Sequence, residues 1–257
     1  MILRNPLNFI NQFLSSTFHQ IRNIYLNSIY YNKKISKINN SSLIYKPSPH
    51  LLSSLIRYQA KKVNVNSIAT ENLWDNKKID IKNFRKLNNF YWFFSLDLKS
   101  SKKNTQKIVS EWIEKNFKYN SKSWEFDITS KRIIAWLSNH NLTIEESDKD
   151  YLNQFNIMIH KQTNHLINEI NNSKTVDDKI IGCAAIILVG ICYNDEKNIL
   201  AYGLNLLKKI SNLSFDNYGF PKSRNIKQLI FYLKYYILIR EWFKESQIEI
   251  PEHINEA

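Results

Sequence analysis

The chain has 257 residues, a formal net charge of +13 and four glycines, the first of which is Gly182. A β-rich or nucleotide-binding α/β chain needs glycines in its turns much earlier, so the composition argues against both classes and favours an all-α fold. Seven of the 36 basic residues are Arg and the rest are Lys, spread singly or in pairs. No nucleic-acid-reading motif accompanies this charge, which disfavours a nucleic-acid partner.

The first part of the chain, residues 1–49, is predicted to be an N-terminal helix followed by an extended connection. Apolar residues recur at every third or fourth position over residues 7–31, which is typical of an amphipathic helix. Residues 32–49 are rich in Asn, Ser and Lys, as expected for an extended connection. A weak alternation of apolar residues within 60–84 indicates a short strand or an irregular arm.

The remainder of the chain, residues 50–257, is predicted to be one domain of sequential helices. Strong helical periodicity of apolar residues begins at Phe84 and recurs in successive segments. The predicted helices cover residues 84–98, 108–117, 128–137, 150–170, 178–193, 196–213 and 226–243. Because the loops between them are short and polar, consecutive helices are expected to pack as antiparallel pairs.

The most apolar run, residues 180–192, is too short to span a bilayer, which needs about 20 residues. It predicts a buried helix with Cys183 and Cys192 as small core residues, too far apart along the helix axis to form a disulfide. Neither a membrane span nor a signal peptide is predicted. These features indicate a cytoplasmic chain, with a periplasmic location left open.

The densest turn signal of the chain lies at residues 216–225 and precedes the last long predicted helix. Gly219 can adopt a positive φ and Pro221 fixes φ, so the backbone should follow a defined path there. Ser223 and Asn225 can each cap the following helix, and Arg224 is expected in its first turn, where a cation opposes the helix dipole. Two roles for Arg224 follow: it binds an anion in a cleft, or it pairs with a local acid and closes the turn.

Asn164 and His165 form the most conspicuous polar pair on the predicted helix 150–170. The five-residue spacing of His160 and His165 does not place them on one helix face as an i, i+4 metal pair would, so no metal site is predicted. A solvated helix face is the simpler interpretation of this segment. The chain has no P-loop, nucleophile elbow or dinucleotide fingerprint, and no cofactor is predicted.

Arg132 and Trp136 lie on a helix that Asp127 and Thr129 are expected to cap. Arg is rare in this Lys-rich chain, and its planar guanidinium is the better fork for a carboxylate. A Trp ring can stack on a sugar, although Trp at helical spacing is more often part of a core. The residues by themselves therefore favour a helical domain with an anion-binding cleft.

Three stretches resemble motifs of heparinase II/III-like proteins. Residues 87–96 are similar to the pattern L-x-x-F-x-W-L-x-D-L, with departures at two positions. Residues 124–137 resemble W-x-x-D-x-x-x-x-R-I-x-x-W-L, and residues 219–225 resemble the turn D-G-G-x-x-S-R-N-P. The resemblance covers about residues 45–257, with the motifs in the same order.

The resemblance implies an incomplete α/α toroid of antiparallel helix pairs, the helical domain of lyases that cleave acidic polysaccharides by β-elimination. Active members use an Asn and a Tyr on the toroid and a His on a following β-sandwich. The sequence given does not include the β-sandwich. The resemblance therefore implies either a separately encoded β-sandwich chain or a loss of activity.

The expected catalytic positions also depart from the family pattern. The family's Asn-His pair falls near residues 176–179, unless a register shift makes Asn164 and His165 its equivalent. Gln228 stands where the family has its Tyr, and Tyr218 or Tyr232 could replace that side chain.

The alternative is a non-enzymatic module that binds an acidic polysaccharide or oligosaccharide, and a third possibility is a helical scaffold whose charge is compositional. The predicted ligand-binding residues are Arg132, Trp136, Lys222, Arg224 and Asn225. For a protein completed by a β-sandwich, an exposed end of the toroid is expected to carry an apolar patch.

Overall fold

The computed structural model describes residues 17–18, 20–37, 42–56, 73–74, 79–97, 99–194 and 196–255. These residues are mostly helical and form no β-strand, only isolated bridges such as that between Leu43 and Tyr193. The prediction of an all-α fold is therefore confirmed. The incomplete toroid of antiparallel helix pairs stays a prediction.

The α-helices with defined bounds among the described residues are numbered in chain order. They are α1 (Ile29–Ile35), α2 (Pro49–Ile56), α3 (Ile81–Asn88), α4 (Lys102–Asn116), α5 (Phe126–Ser138), α6 (His140–Thr143), α7 (Lys149–Glu169), α8 (Val176–Cys192), α9 (Lys197–Ser214), α10 (Ile226–Glu245) and α11 (Glu252–Asn255). Short 3-10 helices cover Tyr91–Ser95 and Ile170–Asn172, and residues 20–26 are also helical.

Helix α8 is the centre of the fold and packs against α5, α7, α9 and α10. Every residue from Ile180 to Cys192 is buried, as expected for a helix that is apolar on all sides. The predicted buried helix with its two core cysteines is confirmed. At its N-terminus Thr175 caps the helix by accepting a hydrogen bond from the backbone N of Asp178 at 3.2 Å. Asp177 and Asp178 thus lie in the first turn, where the core helix reaches the surface.

Helices α8 and α9 approach each other closely at glycine positions. A Cβ atom added to Gly190 would lie 2.6 Å from the backbone N of Leu200, whereas one added to Gly203 would first meet Cγ1 of Ile187 at 2.8 Å. We expect Gly190→Ala to lower the free energy of unfolding by about 2 kcal/mol, because the α9 backbone must move and the gain in helix propensity is only about 1 kcal/mol.

Urea denaturation of both variants tests this expectation. Gly203→Ala is the matched control, since its nearest obstacle is a side chain that can shift. If Gly190→Ala lowered the free energy of unfolding no more than Gly203→Ala does, the backbones of α8 and α9 would not be held this close together at Gly190.

The prediction of one continuous helix over residues 84–98 is wrong. Helix α3 ends at Asn88, Phe90 has a φ of 57°, and a 3-10 helix then begins at Tyr91. The ring of Phe90 is fully buried, with its centroid 5.1 Å from that of Trp136. The backbone turns at Phe90 through a left-handed conformation, which places its ring in the core. A pattern of apolar residues does not indicate such a turn.

The predicted N-terminal helix is interrupted at Ser28, whose hydroxyl caps α1 by accepting from the backbone N of Tyr31 at 3.1 Å. Residues 7–16 of that prediction, and most of the alternating segment 60–84, lie outside the described residues. The short helices α2 and α6 were not predicted, because elements of eight and four residues are too short to show a reliable period. No helix among the described residues is long and apolar enough to cross a membrane.

Candidate functional site

Two adjoining cavities open where the N-termini of α5 and α8 meet, and we call them together the groove. Their volumes are about 330 and 280 Å³, and they share Asp127 and Asp178. The larger cavity is lined by Arg22, Arg85, Tyr119, Ser121, Trp124, Glu125, Phe126, Asp127, His165 and Asp178. The smaller is lined by Asp127, Lys131, Thr175, Asp177, Asp178, Ile181 and Phe231.

The cations of the groove on α3 and α5 are paired with its carboxylates. Arg85 places one guanidinium nitrogen 2.7 Å from Glu125 and another 2.7 Å from Asp127. Lys131 lies 3.1 Å from the second oxygen of Asp127. These partly exposed pairs fix the side chains more than they stabilise the fold.

Arg22 reaches the groove from the N-terminal helical segment and forms an ion pair with Glu169 of α7 at 2.7 Å. Asn172 donates a hydrogen bond to the same Glu169 oxygen at 3.0 Å. This contact joins two parts of the chain that are 147 residues apart.

The two acids at the start of α8 are bound by neutral donors. Gln228 Nε2 and the Tyr232 hydroxyl donate to Oδ1 of Asp177 at 3.2 and 3.1 Å. Ser173 Oγ donates to Asp178 at 2.9 Å. Burial and the charge of Asp177 raise the pKa of Tyr232, so its hydroxyl remains a donor. Neither Asp177 nor Asp178 has a cation within ion-pair distance among the described residues.

The pKa of Glu125 is raised, chiefly by burial. Arg85 opposes this shift, whereas Asp127 and Asp178 add to it. The groove is lined by four carboxylates and three cations, so its net charge is negative on a chain whose overall charge is strongly positive.

His165 lies at the base of the larger cavity. Its Nδ1 is 2.7 Å from the Tyr31 hydroxyl, and its ring stacks on that of Phe126 with centroids 5.9 Å apart. The rings of Tyr119 and Trp124 flank it at 5.2 and 5.5 Å. Burial lowers the pKa of His165 to about 3, so the imidazole is neutral at physiological pH.

The expectation of a solvated face on α7 is wrong. His160 and His165 are 3% and 2% exposed, because Tyr193 packs on His160 and the rings around the groove cover His165. Asn164 does not join His165 in the groove. Its side-chain amide donates to the carbonyl oxygens of Ile35 and Lys37, both at 2.9 Å, and so fixes the C-terminal end of α1.

Arg132, predicted to bind a ligand carboxylate, lies in the core with no exposed surface. Its guanidinium donates to the carbonyl oxygens of Asn88 and Ser123 at 2.8 and 3.0 Å. It also donates to Oε1 of Gln162 at 3.0 Å and to the Thr129 hydroxyl at 3.3 Å. Burial lowers its pKa. With its donors engaged inside the protein, Arg132 cannot reach a ligand in the groove.

Trp136, predicted to stack on a sugar, is also fully buried. Its ring packs against Trp112 at 5.4 Å and Phe155 at 5.5 Å between centroids. Trp112 in turn has the guanidinium carbon of Arg132 3.9 Å from its ring centroid. Both residues of the second motif that were predicted to bind a ligand therefore belong to the core.

The turn 216–225 is closed by Asp216. Its carboxylate accepts from the backbone N of Tyr218 at 2.9 Å and of Phe220 at 3.0 Å, and its second oxygen lies 2.6 Å from Arg224. Arg224 thus takes the second of its two predicted roles, pairing with a local acid. Its backbone has a φ of 56°, in the left-handed region. Tyr218 is 87% exposed and does not line the groove.

The other two turn residues predicted to bind a ligand also make local contacts. Lys222 donates from Nζ to the carbonyl oxygen of Asn212 at 3.2 Å. Asn225 caps α10 by accepting from the backbone N of Lys227 at 3.0 Å. The turn contributes to a separate, open cavity of about 640 Å³ between α9 and α10 through Asp216 and Gly219. The predicted ligand-binding residues are thus not brought together.

Sequence reasoning missed Arg22, Arg85, Glu125 and Phe231 as groove residues. The rarity of Arg, which drew attention to Arg132, applied equally to Arg22 and Arg85. These residues come together because distant segments of the chain pack against each other, and the sequence near each residue does not show which segments do so. Among the described residues, no group of three or more His, Cys, Asp or Glu side chains could hold a metal ion.

Comparisons with family models, with curated proteins and with solved structures gave no match to this chain. The heparinase II/III-like assignment therefore stays a prediction, and a function has to be argued from the groove.

Proposed function

We propose that the chain is a heparinase II/III-like protein of the polysaccharide lyase class that binds a glycan in the groove and has lost β-elimination on its own. One observation carries the proposal: Gln228 and Asp177 are hydrogen-bonded at the groove. The resemblance puts the family's catalytic Tyr at Gln228 and its Asn-His pair near residues 176–179, which include Asp177. Gln228 and Asp177 are 51 residues apart, and the resemblance requires their segments to meet; of the two, Asp177 lines the smaller cavity.

The loss of activity follows from the side chains at those positions. In β-elimination a donor neutralises the uronate carboxylate, a base removes the proton at C5 and an acid assists the departing oxygen. An ionised Asp177 repels a uronate in the segment where the resemblance implies a neutral Asn. Gln228 cannot act as a base. Tyr232 retains a hydroxyl beside Asp177, but its raised pKa makes it a poor base at neutral pH.

Glycan binding is supported by the mixture of rings and charged groups. Tyr119, Phe126 and Phe231 are partly exposed and offer ring surface on which a sugar can stack. Carboxylates and guanidinium groups beside them can bond sugar hydroxyls in both directions.

A second form of the proposal is an enzyme completed by a separately encoded β-sandwich chain. It is favoured by an apolar stripe on α10 at i, i+4, i+7 and i+11, formed by Ile226, Ile230, Leu233 and Ile237. These side chains are between 39% and 70% exposed. Such a stripe on one face of a helix is typical of a protein contact.

We expect purified protein to bind oligosaccharides without producing an unsaturated uronate. Isothermal titration calorimetry measures binding to uronate, neutral and amino-sugar oligomers, and ultraviolet absorbance follows elimination. Phe231→Ala should weaken binding about tenfold, because a stacked ring contributes about 1 kcal/mol or more. Phe220→Ala is the matched control, since Phe220 is exposed in the turn outside the groove.

Two results would contradict this proposal in different ways. Rising absorbance that Tyr232→Phe abolishes would make the chain an active lyase with a recruited tyrosine. Failure to bind any glycan, or binding that Phe231→Ala leaves unchanged, would mean that the groove is not a glycan site.

A further inference from the structure

We propose that the groove selects a glycan with free amino groups, such as a glucosamine oligomer, and rejects uronates. The inference rests on the proposed function, because the cavities and their aromatic rings define the site. The charges around them decide which sugar it accepts.

The first step is that the groove cations are already neutralised. Arg85 contacts both Glu125 and Asp127, and Lys131 contacts Asp127 as well. Arg22 is held by Glu169. A uronate carboxylate that approached these cations would also lie beside the carboxylates that already pair with them, so repulsion would offset much of the attraction.

The second step is that Asp177 and Asp178 add negative charge that no groove cation balances. Their observed partners are the amide of Gln228 and the hydroxyls of Tyr232 and Ser173. A carboxylate has about four acceptor sites, so both side chains retain acceptor capacity. Asp178 lines both cavities. An ammonium group, with three donors and a positive charge, is the sugar substituent that fits this position.

The third step concerns the electrostatic field of the whole molecule. The net charge of +13 attracts polyanions to the surface without any specific site. General electrostatics therefore favours uronate oligomers and opposes cationic ones. A preference for amino sugars would have to come from the local charges of the groove.

Calorimetry with three oligomers of equal length tests the inference: glucosamine, N-acetylglucosamine and galacturonate. At a pH where the amine is protonated, the glucosamine oligomer should bind most tightly. Asp177→Asn keeps the shape and removes one charge, and it should weaken glucosamine binding about tenfold, as expected for a lost charge-assisted hydrogen bond. Binding of the neutral N-acetylated oligomer should change less than threefold.

Glu249→Gln is the matched control, because it removes the same charge from an exposed residue outside both cavities. It should leave all three affinities unchanged. Thermal unfolding of each variant checks that the fold is intact. Asp178→Asn provides a second variant at one of the two residues that both cavities share.

Tighter binding of the galacturonate oligomer, lost in Phe231→Ala, would overturn the amino-sugar inference and leave the glycan groove in place. Equal loss of glucosamine binding in Asp177→Asn and Glu249→Gln would also overturn it, since the effect would then come from net charge. No binding of any oligomer would overturn the proposed function, and the inference with it.

Discussion

Replacement of Arg132 by Met should lower the free energy of unfolding by about 4 kcal/mol. The carbonyl oxygens of Asn88 and Ser123 and the amide oxygen of Gln162 would each lose a buried donor. An unsatisfied buried group costs about 1–3 kcal/mol. Removal of the buried charge recovers part of its desolvation cost, but three orphaned acceptors outweigh that gain.

Urea denaturation at neutral pH measures this loss. Arg132→Lys should still lose about 2 kcal/mol, because one ammonium group cannot span acceptors on both sides of a planar fork. Arg240→Met is the control, since its side chain is 46% exposed and its partners are the adjacent Glu241 and, through a long hydrogen bond, Asn255. It should change stability by less than about 0.5 kcal/mol. Stability of Arg132→Met within 1 kcal/mol of the wild type would contradict the structural role.

The contacts of Arg132 also explain what the second sequence motif does. Ser123, whose carbonyl Arg132 binds, directly precedes Trp124 and Glu125 of the groove wall. Arg132 therefore positions the segment that carries these groove residues and does not contact the ligand itself. The motif combines buried residues that build the wall with acids, such as Asp127, that face the groove.

The long helices were predictable because their apolar periodicity is local. Helix α8 begins at Val176 and ends at Cys192, close to the predicted limits of 178 and 193. The break at Phe90 was not predictable, because its positive φ is maintained by aromatic rings from α4 and α5. A short range of sequence carries no information about these distant contacts.

The candidate site was predictable only in part, for the same reason. The resemblance pointed to residues 176–179 and to Gln228, and the structure brings Asp177 and Gln228 together. The sequence did not indicate that Arg22 pairs with Glu169, because the two residues are 147 positions apart. The rarity of Arg correctly drew attention to Arg132, but this residue stabilises the core and does not line the groove.

Acidification should destabilise the fold through His165 by about 4 kcal/mol between pH 7 and pH 3. The folded pKa is about 3, against an ordinary value of 6.5. Between these values the unfolded chain binds a proton that the folded chain does not, so a falling pH favours unfolding. The loss begins as the pH falls below 6.5 and is complete near 3. Each pH unit in this window costs about 1.4 kcal/mol at most.

His165→Phe separates this effect from the other titrating groups, which are common to both proteins. The variant loses the hydrogen bond with Tyr31 and should be less stable at pH 7 by about 1–2 kcal/mol. It has no imidazole to protonate, so its stability should fall less steeply and exceed that of the wild type near pH 4. Urea denaturation across this range measures both curves, with His50→Gln, an exposed site, as the control. Parallel curves would mean that water reaches His165 in the folded state. A crossing would show that the base of the groove is dry, which strengthens the pairing of charges above it.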